Sequence, residues 1–272
     1  MLKLYTFVCS SLFLCNSVFA GADTESNKSQ WELGIGVAVL NIPLYPGSSQ
    51  NKTYVVPVPH FLYRSENIEV DNGLQATFFR TEKVRLDLSA DFGVPVNSAD
   101  SDVRVGMTDL DLVIQLGPSL EVTLDGGRFK PNHTRLEFPL RAAIATDFRS
   151  AEHVGWIFEP RLTFETRRPH KTGFAYLLSG GLRFSTEQYN DYYYEVSADF
   201  ATPTRPVFDA KSGYSGLFVD AIANWRTDSL IYFAFVRYQN LSGAELEDSP
   251  LVEQNDYIFV GAGLTWVFAR NL

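Results

Sequence analysis

The clearest pattern in the chain runs from Asp109 to Leu124. Even positions read Leu110, Leu112, Ile114, Leu116, Pro118, Leu120, Val122 and Leu124; odd positions read Asp109, Asp111, Val113, Gln115, Gly117, Ser119, Glu121 and Thr123. Successive side chains of a strand point to opposite faces, so this is one extended ribbon with an apolar face and a mostly polar one. The alternation lasts sixteen residues, well beyond the usual strand of about 5–6. A bilayer calls for such length: about 9–11 tilted residues cross the hydrocarbon, and more follow if the strand passes the rim.

The pattern recurs along the chain. Residues 31–39 place Trp31, Leu33, Ile35, Val37 and Val39 on one face. Residues 84–94 set Val84, Leu86, Leu88, Ala90 and Phe92 against Arg85, Asp87, Ser89 and Asp91. Further strands are expected at 53–63, 68–79, 135–146, 154–166, 173–185, 214–225, 230–238 and 256–268, with Pro57 and Pro59 removing ladder donors from the first of these. Polar connections fall at 41–51, 96–108, 125–132 and 241–254, and the longest irregular segment is 186–212. About eleven strands are counted in this way. A bacterial barrel has an even number, so twelve is expected, with the tyrosine-rich 189–198 as the missing strand; ten is the alternative, if a proline-bearing segment does not span.

A soluble sandwich also alternates, with its apolar side inward. Two features favour the inverse. The strands are uniformly long, and their polar faces hold charges of both signs, such as Arg135, Glu137 and Arg141, or Glu159, Arg161 and Glu165. Lining a lumen, these can pair between strands. The expected fold class is therefore all-β: a transmembrane antiparallel up-and-down β-barrel. Mean hydropathy is −0.08 and the only long apolar run is N-terminal, so helical spans are not expected.

Residues 1–20 read as a secretory signal, with Lys3, an apolar stretch and Val18-Phe19-Ala20 before the cleavage point. Residues 21–30 read as a mobile leader, 31–268 as the outer-membrane barrel and 269–272 as a C-terminal tail. Both cysteines, Cys9 and Cys15, leave with the signal, which removes disulfides, thiolate chemistry and cysteine metal sites together. The mature chain keeps 22 basic and 32 acidic residues, a net of −10. That acidity argues against nucleic acid and against a basic patch on anionic lipid.

Chemistry-bearing residues are few. His60, His133, His153 and His170 show no metal-ligand spacing. Asp147, Ser150 and His153 sit close together on a short loop, where a hydrolase triad competes with ordinary turn roles. Glu159 and Glu165 flank Arg161, so ion pairing outweighs a glycosidase pair. Tyr192, Tyr193 and Tyr194 fit a recognition surface, an aromatic girdle or a capping loop. No catalytic, cofactor-binding or metal residue is assigned, and no cofactor is expected.

Gly263, Trp266 and Phe268 resemble the terminal signal of outer-membrane barrels, with four further residues after the last aromatic. Tyr45-Pro46-Gly47-Ser48, Gly106-Met107 leading to Asp109-Leu110, Leu116-Gly117-Pro118-Ser119, Asp209-Ala210-Lys211 before Gly213-Tyr214, and Ser249-Pro250-Leu251 occur in an order that resembles the MipA/OmpV family. The resemblance covers about residues 31–268. It implies a non-enzymatic barrel in the bacterial outer membrane. It further implies a scaffold bringing a lytic transglycosylase together with a peptidoglycan synthase. A narrow channel or small-solute transporter is the alternative, and an outer-membrane hydrolase a third reading.

Overall fold

In a computed structural model the chain is described over residues 30–64, 69–71, 77–126, 132–166 and 172–271. The strands are β1 (Gln30–Pro43), β2 (Asn51–Arg64), β3 (Glu69–Asp71), β4 (Thr77–Arg80), β5 (Val84–Gly93), β6 (Leu112–Asp125) and β7 (Asn132–Thr146). They continue with β8 (Ala151–Phe158), β9 (Arg161–Thr166), β10 (Gly173–Ser185), β11 (Gly213–Arg226), β12 (Leu230–Asn240) and β13 (Asp256–Asn271). One helix, α1 (Glu187–Tyr194), interrupts them. The expected signal and residues 21–29 of the expected leader lie outside the described residues, Gln30 opens β1, and β13 continues three residues past Phe268.

Every pairing is antiparallel, in the order β3-β2-β1-β13-β12-β11-β10-β8-β7-β6-β5-β4, with β9 between β10 and β7. β8 and β9 thus share one position, broken at Glu159-Pro160. The order has twelve positions, so its two ends, β3 and β4, run in opposite directions.

This corrects two expectations from the sequence. The stretch 68–79 is not one strand: its described parts pair in opposite senses, β3 with the foot of β2 and β4 with the foot of β5. The tyrosine-rich 189–198 is not the twelfth strand, because 187–194 is helical.

The faces are inverted relative to a soluble sheet. On β13, Ile258, Val260, Leu264, Trp266 and Phe268 are exposed, while Tyr257, Thr265 and Val267 are buried. On the charged strands, Arg141 is 2 % exposed and Glu159 and Glu165 each 1 %, whereas Ile35 is 56 % exposed and Trp266 53 %. Exposed apolar residues therefore form an outer belt on β1, β2 and β6 to β13.

Aromatics edge this belt at two heights. Trp225 stacks on Tyr232 at 5.4 Å and Trp266 lies 5.8 Å from Phe268 near one rim; His153–Trp156 (5.6 Å) and Phe184–Tyr214 (6.0 Å) mark the other. Phe174 and Phe184 lie near opposite rims of β10. Their ten-residue separation is about 33 Å of strand. At the usual tilt of about 40–45° that spans about 25 Å, the height of a bilayer-facing band.

Because the strands alternate, connections sort by end. Residues 44–50, 94–111, 147–150, 186–212 and 241–255 lie at one end. The tight turns 81–83 and 227–229 lie at the other, with Gln30 and Asn271.

Candidate functional site: a capped, charge-lined interior

The long connections pack on one another. Leu44, Tyr45, Val96, Leu110, Tyr189, Tyr193, Tyr194, Val196, Leu241, Leu246 and Leu251 form one buried apolar cluster with the upper ends of β6, β7 and β8. Hydrogen bonds tie the loops across large sequence distances. Tyr45 donates to the Leu251 carbonyl (2.8 Å), Ser249 to the Tyr194 carbonyl (2.8 Å), and Glu253 and Gln254 N–H groups both reach the Gly47 carbonyl. Arg205 donates to the carbonyls of Val103 and Val105. This cap closes one end of the sheet's interior.

Helix α1 is the keystone. Successive side chains on a helix point about 100° apart, so three adjacent tyrosines reach three places. Tyr192 accepts from the Asp111 N–H (2.7 Å), and Tyr194 donates to the Pro46 carbonyl (3.0 Å). Tyr193 rests on β5, where a Cβ at Gly93 would lie 2.5 Å from its hydroxyl. The helix seats on β8 at Gly155, whose φ of +115° and contact with Thr186 and Tyr189 exclude a side chain. Of the readings open for Tyr192–Tyr194, the capping loop is the one realised. Burial pushes the Tyr45 and Tyr192 phenols up to about 12.

Below the cap lies a cavity of about 360 Å³. One wall is apolar: Leu40, Ile42, Phe235 and Phe259 line it, and they pack in one cluster with Ala38, Val56, Val58 and Phe233. The opposite wall is ionic. Arg85 meets Asp87 (2.5 Å) and Glu121 (2.8 Å), and Arg135 meets Glu137 (2.6 Å) and Glu165 (2.6 Å). Arg161 meets Glu137 (3.2 Å), and Glu159 is held between Arg141 and Arg183. Arg237 pairs with Asp220 at 2.5 Å. Charges this deeply buried are tolerated only when paired. Nearer the foot, Arg226 of β11 reaches Glu32 of β1 at 2.6 Å, across the two strands that lie between them in the sheet order, and His60 lies on the other carboxylate oxygen.

The sequence-flagged groups fall into place. Asp147 and Ser150 belong to the β7–β8 turn: the Ser150 hydroxyl and N–H both donate to Asp147, while the His153 ring lies against Trp156. Glu159 and Glu165 are ion-paired as expected. His133 is buried on β7, and His170 lies outside the described residues. Among the described residues no cluster of His, Cys, Asp or Glu has the form of a metal site. The cap was missed. A signal for it existed: Tyr45–Ser48, Asp109-Leu110, Asp209–Lys211 and Ser249–Leu251, four of the phrases behind the family resemblance, all lie in the cap loops.

Charge divides along the same line. The five cap connections carry fourteen acids and four bases, a net of −10. The remaining 18 acids and 19 bases of the chain net +1.

A sheet with lipid-type residues outside, ion pairs inside and loops folded over one end defines an outer-membrane β-barrel protein. The family model "MltA-interacting protein MipA" matches residues 35–268, and the chain belongs to that family, whose members are bacterial outer-membrane proteins. No curated protein matches. Among solved structures, the chain is similar to the N-terminal β-barrel domain of Pseudomonas aeruginosa OprF (8 % identity, 88 % of this chain, 100 % of that one, TM-score 0.27). It is also similar to the Pseudomonas putida toluene transporter TodX (10 %, 89 %, 90 %, 0.32) and to OprG of P. aeruginosa (10 %, 89 %, 97 %, 0.23). Scores this low carry no argument.

Proposed function

We propose that the protein is a non-enzymatic scaffold of the outer membrane that holds a lytic transglycosylase of the MltA kind beside a peptidoglycan synthase. The partner type comes from the family's description, MltA-interacting protein. The observation that carries the reading is the cap: a packed loop core over one end and a charge-paired interior below it suit a protein that presents surfaces rather than a pore. In bacterial barrels the tight turns face the periplasm and the longer loops the exterior. The 81–83 and 227–229 turns and the chain's N-terminal side thus mark the face for periplasmic enzymes. The test is capture from envelope extract by the immobilised mature chain. Recovery of a lytic transglycosylase together with a synthase is expected; an eluate free of both overturns the reading.

The second reading, a narrow solute channel, rests on the cavity of about 360 Å³. Planar-bilayer recording separates the two. The scaffold gives no steady single-channel current, and a reproducible open level defeats it.

A further inference from the structure

The cavity beneath the cap meets two unlike walls. On one, Arg237 of β12 is registered against Phe259 of β13, and Phe235 lies two residues away on the same face of β12. Five positions along the sheet order from β12 stands β6, where Gln115 is registered against Asp91 of β5. All five residues line the same space. An aromatic shelf thus faces a polar row.

Asp91 and Arg237 are the most open of the charged side chains in that lining, at 28 % and 24 % exposed. Asp91 is also the most loosely held. Its arginine contact, Arg141, lies 3.7 Å away, whereas the other five lining carboxylates meet an arginine at 2.5–2.8 Å. Around them are polar groups with nothing to bind. Gln115, Gln239 and Arg141 line the space and are each at most 4 % exposed. Among the described residues, the Gln115 and Gln239 Oε1 atoms and the Arg141 Nε have no hydrogen-bond partner. The Gln115 Nε2 donates to the Tyr189 hydroxyl over a long 3.4 Å. The last torsion of a glutamine is soft, so such an amide can turn onto a bound group.

We infer that the cavity is a binding site for a neutral sugar of one or two pyranose rings. The carboxylate and the amide oxygens call for donors, and the guanidinium groups for acceptors. A hydroxyl supplies both, a carboxylate only accepts and an ammonium only donates. Six arginines and six carboxylates line the space among the described residues, so a net charge on the ligand gains little and competes with pairs already made. A pyranose presents hydroxyls around its edge and an apolar C–H face. The face covers Phe235 and Phe259, and the edge meets Asp91, Arg237 and the two glutamines. A purely apolar guest would leave that polar row unanswered. The volume of about 360 Å³ falls within the range of small-ligand sites, about 300–1,000 Å³.

The site needs neither partner enzymes nor conduction, so its failure leaves the scaffold reading intact. The mature chain is refolded in lauryldimethylamine oxide, a detergent without hydroxyls, with radiolabelled sugar present, so that capture does not depend on the cap opening. Equilibrium dialysis then measures binding of glucose, galactose, mannose and maltose. Saturable binding of at least one is expected, with glucuronate and glucosamine competing at least tenfold more weakly. Asp91→Ala and Phe259→Leu each weaken binding about tenfold. Gln115→Leu weakens it severalfold, and Leu124→Trp on the outer face changes nothing. No saturable binding of any of the four sugars by the folded chain overturns the proposal. So does a charged sugar that binds best, or an affinity unchanged in both Asp91→Ala and Phe259→Leu with gel mobility of the folded form retained.

Discussion

The cap and the wall beneath it bury opposite kinds of residue. In the cap, Val196 and Leu251 are fully buried while acids face outward. In the wall, Arg141 and Glu159 are buried while tryptophans face outward. One chain thus follows two rules, and the surrounding solvent selects between them: water around the cap, lipid around the wall. Damage differs accordingly. Removing a cap side chain leaves an empty volume, whereas removing a wall side chain leaves an unpaired charge.

The largest effect is expected from Glu159→Ala. It strands Arg141 and Arg183 together, and breaking a buried pair costs about 3–5 kcal/mol. Urea unfolding in lipid vesicles should show the midpoint falling sharply. A variant as stable as the parent would mean that the inner charges are hydrated, and the contrast with the cap would disappear.

Next comes Tyr193→Ala, which empties the centre of the cap. Burial of an aromatic of this size is worth on the order of 3 kcal/mol, but the loss should stay local. Protease cleavage within 186–212 should accelerate and current should appear in planar bilayers, while the urea midpoint of the wall holds. If wall and cap melt together, they are one cooperative unit. Gly93→Val is a milder probe of the seam, since its Cβ would crowd the Tyr193 hydroxyl. A cost of about 1–3 kcal/mol is expected for overpacking. In the Tyr193→Ala background most of that cost should vanish, which a double-mutant cycle in cap proteolysis reads directly.

The same contrast explains what the sequence discloses. The wall repeats every two residues, so β6, β10 and β13 are legible from alternation alone, and the charged faces announce their pairing. The cap has no period. Tyr45 meets Leu251 from 206 positions away, and nothing local to either residue encodes that contact. Residues 189–198 misled because tyrosine favours strands; docking of 187–194 on Gly155 and the fan of three hydroxyls outweighed that preference. The stretch 68–79 misled because apolar continuity is the same for one strand as for two halves running in opposite directions. Only the parity of the sheet order separates them.

The smallest effect tests the cap's surface. Asp191 on α1 is partly buried and faces Glu195, Asp209 and Glu187; burial first and then these like charges raise its carboxyl to about 6. One of its oxygens has no hydrogen-bond partner. A carboxyl whose folded value lies above its unfolded one binds more protons when folded, so its contribution to stability is full below about pH 4 and is lost as the pH rises through about 6. Cap proteolysis should therefore be slower at pH 4.5 than at pH 7.5 with an acid-tolerant protease calibrated at both values. Asp191→Asn should flatten that dependence and slow cleavage at pH 7.5, by a modest factor that shrinks in high salt. If Asp191→Asn leaves the pH profile as steep as before, the cap's response to pH arises elsewhere among its fourteen acids, and α1 is not its sensor.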